Sequence, residues 1–273
     1  LGQPAEGLLD GVEVTAAGEL VLSSRFRGTQ ATQPMFDALL IHQLSMALEG
    51  TPEADLRRAV RRLELACCAL PHLRGFDGLE SLAITLLPGT VWADLSHWGP
   101  MPALRALKLI SAGTKDQPAS LASLAGLKAP SLEVAGLRQL GLTSIEALSE
   151  SSALRDVVLA FNPGVSSIRA LVDSVACLDS LDLEGCAGVS DLSALKGSQA
   201  LTTLKLKDCA RVRSLQPLSA SRELRTIDLE GCASLTSLEG LPSDTLDPPR
   251  YSVFSLKGCA ALTSLRGLPR LTD

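Results

Sequence analysis

Along the chain the apolar residues form one phrase that returns: leucine, two residues, leucine, one residue, leucine, two residues, cysteine, then three apolar residues at three-residue intervals. Leu178, Leu181, Leu183, Cys186, Val189, Leu192 and Leu195 fill one copy, and Leu201, Leu204, Leu206, Cys209, Val212, Leu215 and Leu218 fill the next. Leu224, Ile227, Leu229, Cys232, Leu235, Leu238 and Leu241 make a third. Tyr251, Phe254, Leu256, Cys259, Leu262, Leu265 and Leu268 make a fourth, and the four start 23, 23 and 27 residues apart. The LxL alternation predicts a half-buried strand, with second neighbours on one face. The triplet spacing that follows predicts a 3-10 or tight helical return. Neither piece can bury its apolar side alone, so the copies are expected to stack and cover one another.

Going back along the chain, Leu154, Val157, Leu159, Asn162, Val165, Ile168 and Leu171 repeat the phrase with Asn in place of Cys. Weaker copies start near Ala129, Leu104, Leu79 and Val60, for about nine in all. The LxxLxLxx(N/C)xL signature resembles that of the leucine-rich repeat family, in its short bacterial form, closely from Leu154 to Leu268 and loosely from Val60. The resemblance implies an α/β solenoid: a right-handed superhelix with a parallel sheet on its concave side and short helical or 3-10 returns on its convex side. It also implies that the ninth position points inward and satisfies backbone groups of adjacent turns. The "GCxxLxSLxxLP" wording is similar to repeats of plant immune receptors as well. Before Val60 the pattern changes. "GVEVTAAGELVLSS" reads as two strands around Ala17 and Gly18, and residues 32–50 as a helix capped by Thr32 and stopped by Gly50, with a shorter helix after Pro52. Residues 1–58 are therefore expected to be an N-terminal α/β cap and residues 59–273 the solenoid; the other reading of the first segment is the tail of a preceding domain.

Composition changes this picture little. Only 3% of the 273 residues are aromatic while 46% are hydrophobic, as a core of many similar aliphatic side chains requires. A net charge of −5 without a basic run disfavours nucleic acid and anionic membranes as partners. No apolar run reaches membrane-spanning length. The chain starts at Leu1 and stops in mid-pattern, which reads as a trimmed chain or a fragment of a longer protein, and a monomer or part of a larger chain is expected.

Five of the seven cysteines, Cys68, Cys186, Cys209, Cys232 and Cys259, share the ninth position, where stacking makes a ladder spaced about 4.8 Å apart. Thiols in such a file point the same way. They cannot incline toward each other as a disulfide needs or converge on a metal ion. A reducing compartment follows, either the cytoplasm or, for a secreted effector, a host cytosol.

His42, His72 and His97 stand in no acid-base or metal spacing, and no GxSxG, HExxH, P-loop or GxGxxG signature is present. No catalytic residue, cofactor or metal is expected, and Trp92 and Trp98 read as packing under a loop. The strand positions facing outward carry the remaining information. Position five runs Asp182, Lys205, Asp228, and position seven Glu184, Lys207, Glu230, Lys257, so neighbouring strands alternate in sign. This makes either a self-neutralised soluble face or a partner surface with a charge code. Farther back, Ile110, Ala135, Val158, Ala160 and Phe161, with Arg155 beside them, make a less polar middle, and Phe161 is the expected contact. The function expected is non-enzymatic recognition of a protein partner. The alternative is the recognition domain of a larger enzyme or signalling protein, a ligase-type effector or an ATPase of the immune-receptor kind.

Overall fold

The computed structural model describes residues 8–14, 20–25, 57–67, 73–114, 119–242 and 253–268. The chain divides into two compact units, Leu1–Leu132 and Glu133–Asp273.

The first unit runs β1 (Leu8–Val14), β2 (Leu20–Arg25), β3 (Val60–Cys67), β4 (Ser81–Leu86), β5 (Val91–Trp92), β6 (Ala106–Ser111) and β7 (Ser120–Leu121). β1 and β2 are the antiparallel pair expected around Ala17 and Gly18. Of the shorter helix read after Pro52, residues 57–59 are described and helical; the helix read over residues 32–50 and Cys68 lie outside the described residues. β2 runs parallel to β3, and β3, β4 and β6 continue in parallel with Leu63 opposite Leu82 and Leu82 opposite Leu107. Along β4 and β6 every second side chain is buried, as the LxL alternation dictates. β5 and β7 make a separate two-stranded pair. Trp92 and Trp98 are buried.

The second unit holds β8 (Val134–Arg138), β9 (Asp156–Val158), β10 (Ser180–Asp182), β11 (Thr203–Lys205), β12 (Thr226–Asp228) and β13 (Val253–Ser255). Each pairs in parallel with the next, so that Val157, Leu181, Leu204, Ile227 and Phe254 stand in one row. Returns close through 3-10 turns at Glu146–Glu150, Arg169–Ser174, Ser193–Leu195 and Gln216–Ala220. The residue just before each turn is apolar and makes no cap bond, but the side chain one place further back does. Ser144, Ser167, Asp191 and Ser214 accept the first N–H of their turns, at Glu146, Arg169, Ser193 and Gln216. Short parallel strands alternating with 3-10 returns at a 23-residue register are the α/β solenoid arrangement of leucine-rich repeats. Nine of the described strands, β3, β4, β6 and β8 to β13, carry it.

Two details differ from the sequence expectation. The copy placed at Ala129 starts at Leu132 instead: Ala135 pairs with Val157, so Ala135 and Leu137 are the inward strand residues and Leu140 stands in the ladder slot. The last copy is open. Leu265 is 57% exposed and Leu262 and Leu268 are half-buried, because no described copy follows to cover them.

A second buried polar file runs through the returns. Ser151, Ser174, Ser198 and Ser221 are all buried, the Ser174 hydroxyl donates to Ser151 O at 2.6 Å, and the Ser198 and Ser221 hydroxyls pair at 2.8 Å. Two of these serines also accept backbone N–H groups through their carbonyls where the return hands over to the next strand, Leu178 to Ser174 O and Leu224 to Ser221 O.

Candidate functional site

The ladder is where the repeat chemistry is densest. Asn162 is fully buried and uses both ends of its amide: Nδ2 donates to Leu137 O and Leu159 O, each at 2.7 Å, and Oδ1 accepts from the N–H groups of Leu140 and Leu142. Each cysteine below it makes one such bond. Sγ of Cys186, Cys209, Cys232 and Cys259 donates to the carbonyl of Leu159, Leu183, Leu206 and Leu229, at 3.1 to 3.2 Å. That carbonyl belongs to position six of the preceding copy, the place Asn162 reaches at Leu137. Burial pushes the Cys186 thiol up to about 11 and Cys232 up to about 12, and it raises Cys209 and Cys259 as well. The thiols therefore stay protonated and serve as donors rather than nucleophiles.

The charged columns face solvent and meet in pairs across neighbouring strands. Lys205 Nζ lies 3.3 Å from Asp182, Lys207 Nζ 4.0 Å from Glu184, and Lys257 Nζ 3.3 Å from Glu230. Asp182 and Asp228 are also held from within, each Oδ1 accepting the N–H two residues on, at Glu184 and Glu230. Asp182 is only 7% exposed, more covered than an outward position implies, because Lys205 and its own strand close over it.

Position eight of every copy in the second unit is left-handed: Gln139, Phe161, Gly185, Asp208, Gly231 and Gly258 have φ between 56° and 80°. Phe161 holds this conformation with an aromatic side chain. A Cβ added at Gly185 would stand 2.8 Å from Phe161 Cδ1, so the ring lies against that glycine. The Arg138 guanidinium covers the ring, with Cζ 4.6 Å from its centroid. Phe161 is left 36% exposed.

The less polar middle keeps only part of its expected membership. Ala135 is buried because it is an inward strand residue. Ala160, though at position seven, is buried too, a methyl between the longer Arg138 and Glu184. Ile110 is half-buried on β6 and belongs to the first unit. The second unit brings together Val134 (40% exposed), Gly136, Val158 and Phe161 on β8, β9 and the turn after them, with Arg138 over the ring and Arg155 and Asp156 exposed alongside. Sequence reasoning missed Val134, Gly136 and Arg138 because it framed that copy three residues early. Among the described residues no cluster of His, Cys, Asp and Glu could hold a metal ion, and no helix is long and apolar enough to cross a membrane.

No protein-family model matches the chain, and no curated protein matches it in sequence. Solved structures do resemble it in fold. An internalin (InlF) from Listeria monocytogenes shares 15% identity over 83% of this chain and 67% of its own, with a TM-score of 0.44. The leucine-rich repeat domain of the type III effector XopL shares 17% over 81% of this chain and 84% of its own, TM-score 0.46. The functional domain of InlJ from Listeria monocytogenes, which includes a cysteine ladder, shares 16% over 80% of this chain and 52% of its own, TM-score 0.43.

Proposed function

We propose that this protein binds a protein partner on the strand face of its second unit, centred on β8 and β9, without chemistry of its own. The carrying observation is the contrast between adjacent parts of one face. From β10 onward acids and lysines satisfy each other, so a partner gains little from them beyond association rate and salt dependence. At β8 and β9, Val134 and Phe161 remain exposed beside the side-chain-free Gly136, a shallow apolar seat whose burial contributes most of an interface's energy. The Arg138 guanidinium, held on the Phe161 ring, adds directional donors at its rim. Arg155, Val158, Asp182, Glu184, Lys205, Lys207, Asp228, Glu230 and Lys257 make the wider contact set, with Ile110 of the first unit as a separate candidate. A reducing compartment, the cytosol of the producing cell or of a host, fits the four described ladder thiols, each of which donates its hydrogen to a carbonyl.

Photo-crosslinking places the seat. A benzophenone side chain at Val134 is expected to trap the partner, whereas one at Lys257 traps it weakly. Calorimetry with the trapped protein then compares Val134→Ser and Phe161→Ala, each expected to lose more than about 1 kcal/mol, with Lys205→Glu plus Lys207→Glu, expected to alter association rate and salt dependence. Parent-like binding by both apolar variants, with loss in the lysine variant at every salt concentration, would place the site on the charged columns instead.

A further inference from the structure

The turn after the ladder cysteine in the copy that starts at Leu201 carries a feature that the binding face does not use. Val212 is fully buried, and Arg211 and Arg213 on either side of it are exposed, so both guanidinium groups leave by the outer surface. The copies above and below put short residues at the same two places, Gly188 and Ser190 before, Ser234 and Thr236 after. The arginines consequently stand in a recess of about 410 Å³ lined by Ser190, Arg211, Arg213 and Ser234. Several other cations of this unit are matched: Lys205, Lys207 and Lys257 face acids, Arg225 pairs with Glu223, and Arg138 covers a ring. Among the described residues neither Arg211 nor Arg213 has a hydrogen-bond or ion-pair partner, and neither do the hydroxyls of Ser190 and Ser234. Asp191 accepts the Ser193 N–H and hydroxyl at 2.8 and 2.7 Å in a neighbouring recess, and Asp208 leans over Gly231.

We propose that this recess binds a phosphate monoester. Two guanidinium forks offer four N–H donors and two hydroxyls offer two more, all lining one recess with no carboxylate in its lining. Six donors match three non-bridging oxygens with two lone pairs each; a carboxylate has places for only four. The ligand is a dianion at neutral pH, whose charge the two arginines neutralise. The phosphate arrives either on a small molecule or on a phosphorylated side chain of a protein.

Calorimetric titration of the full chain at low salt tests this with inorganic phosphate, O-phosphoserine, and the peptides Gly-pSer-Gly and Gly-Ser-Gly. The parent is expected to bind the phosphorylated probes and not Gly-Ser-Gly. Arg211→Gln plus Arg213→Gln should weaken them about tenfold or more, and the double Lys variant should retain an intermediate affinity. Arg225→Gln, which removes an arginine already paired, should bind as the parent does, and melting curves confirm that each variant is folded. Tighter binding of Gly-pSer-Gly than of inorganic phosphate assigns the site to phosphorylated protein, and equal or weaker binding assigns it to small phosphates. A parent that binds none of the phosphorylated probes, a double Gln variant that binds like the parent, or equal binding of Gly-Ser-Gly would each overturn the assignment.

Discussion

Phe161 occupies a backbone conformation that Gly185, Gly231 and Gly258 hold in later copies, at a cost of about 1–2 kcal/mol for a side chain with a Cβ. What offsets this cost is packing: the ring lies on Gly185 beneath Arg138. The two positions are therefore coupled. Gly185→Ala should destabilise by about 2–3 kcal/mol, because it adds both left-handed strain and a clash with the ring. In a Phe161→Ala background the same change should cost about 1 kcal/mol less, since only the strain remains. Urea denaturation of the four proteins measures this, and strictly additive costs would show that the ring does not rest on the glycine. The ladder thiols give a second test at this scale. Burial raises Cys186 and Cys232 from the ordinary 9.0 to about 11 and about 12, so the folded chain keeps protons that the unfolded chain has released. Their contribution is whole below pH 9 and is lost as pH rises toward those values. Stability should fall more steeply between pH 9 and pH 11 in the parent than in Cys232→Ala, which has one buried proton fewer to lose. Equal slopes would mean that the thiol is solvated.

In the returns the buried serines do for each crossover what the cysteines do for each strand end. Ser198 and Ser221 share one hydrogen bond away from water, so removing either hydroxyl strands the other. Ser221→Ala should cost about 1–2 kcal/mol, and Ser198→Ala on top of it much less than it costs alone. A thermal melt series over the double-mutant cycle decides this. How much was legible in the sequence differs between elements for physical reasons. Strands from Leu154 onward were plain because each inward position holds a large apolar residue. In β8 one inward position holds Ala135, and a frame resting on leucine spacing slipped by three residues, hiding Gly136 and Arg138 from the reading of the face. The serine file was present in the letters, three or four residues ahead of Leu154, Leu178, Leu201 and Leu224. A small polar residue before a strand has the same spelling whether it is buried or solvated, so periodicity alone could not mark it. Phe161 was found by its exposure to the outward column, whereas its lean onto Gly185 depends on a φ angle that no residue pattern encodes.

At the scale of the molecule, stability in a stacked array is a sum of copies and of the contacts between neighbours, so the copy whose apolar residues are least covered opens first. Leu262, Leu265 and Leu268 lack the cover that Leu235, Leu238 and Leu241 receive. Amide exchange at Cys259 and Leu262 should therefore run about a hundredfold faster than at Cys232 and Leu235, a difference read by mass spectrometry or NMR. Uniform protection across both copies would show that the last one is closed in solution.

The alternation of sign across β10, β11 and β12 also gives the array a parity. Copies starting at Leu178 and Leu201 have equal length, so excising the 201–223 copy keeps every leucine and cysteine in register. Yet it brings Asp182 against Asp228 and Glu184 against Glu230, like charges where opposite ones met. Excising 201–250 instead, two copies at once, sets Glu184 beside Lys257 and restores a match. Recombination between such similar copies is then filtered by charge: gains or losses of two copies preserve the matched surface, and gains or losses of one disturb it.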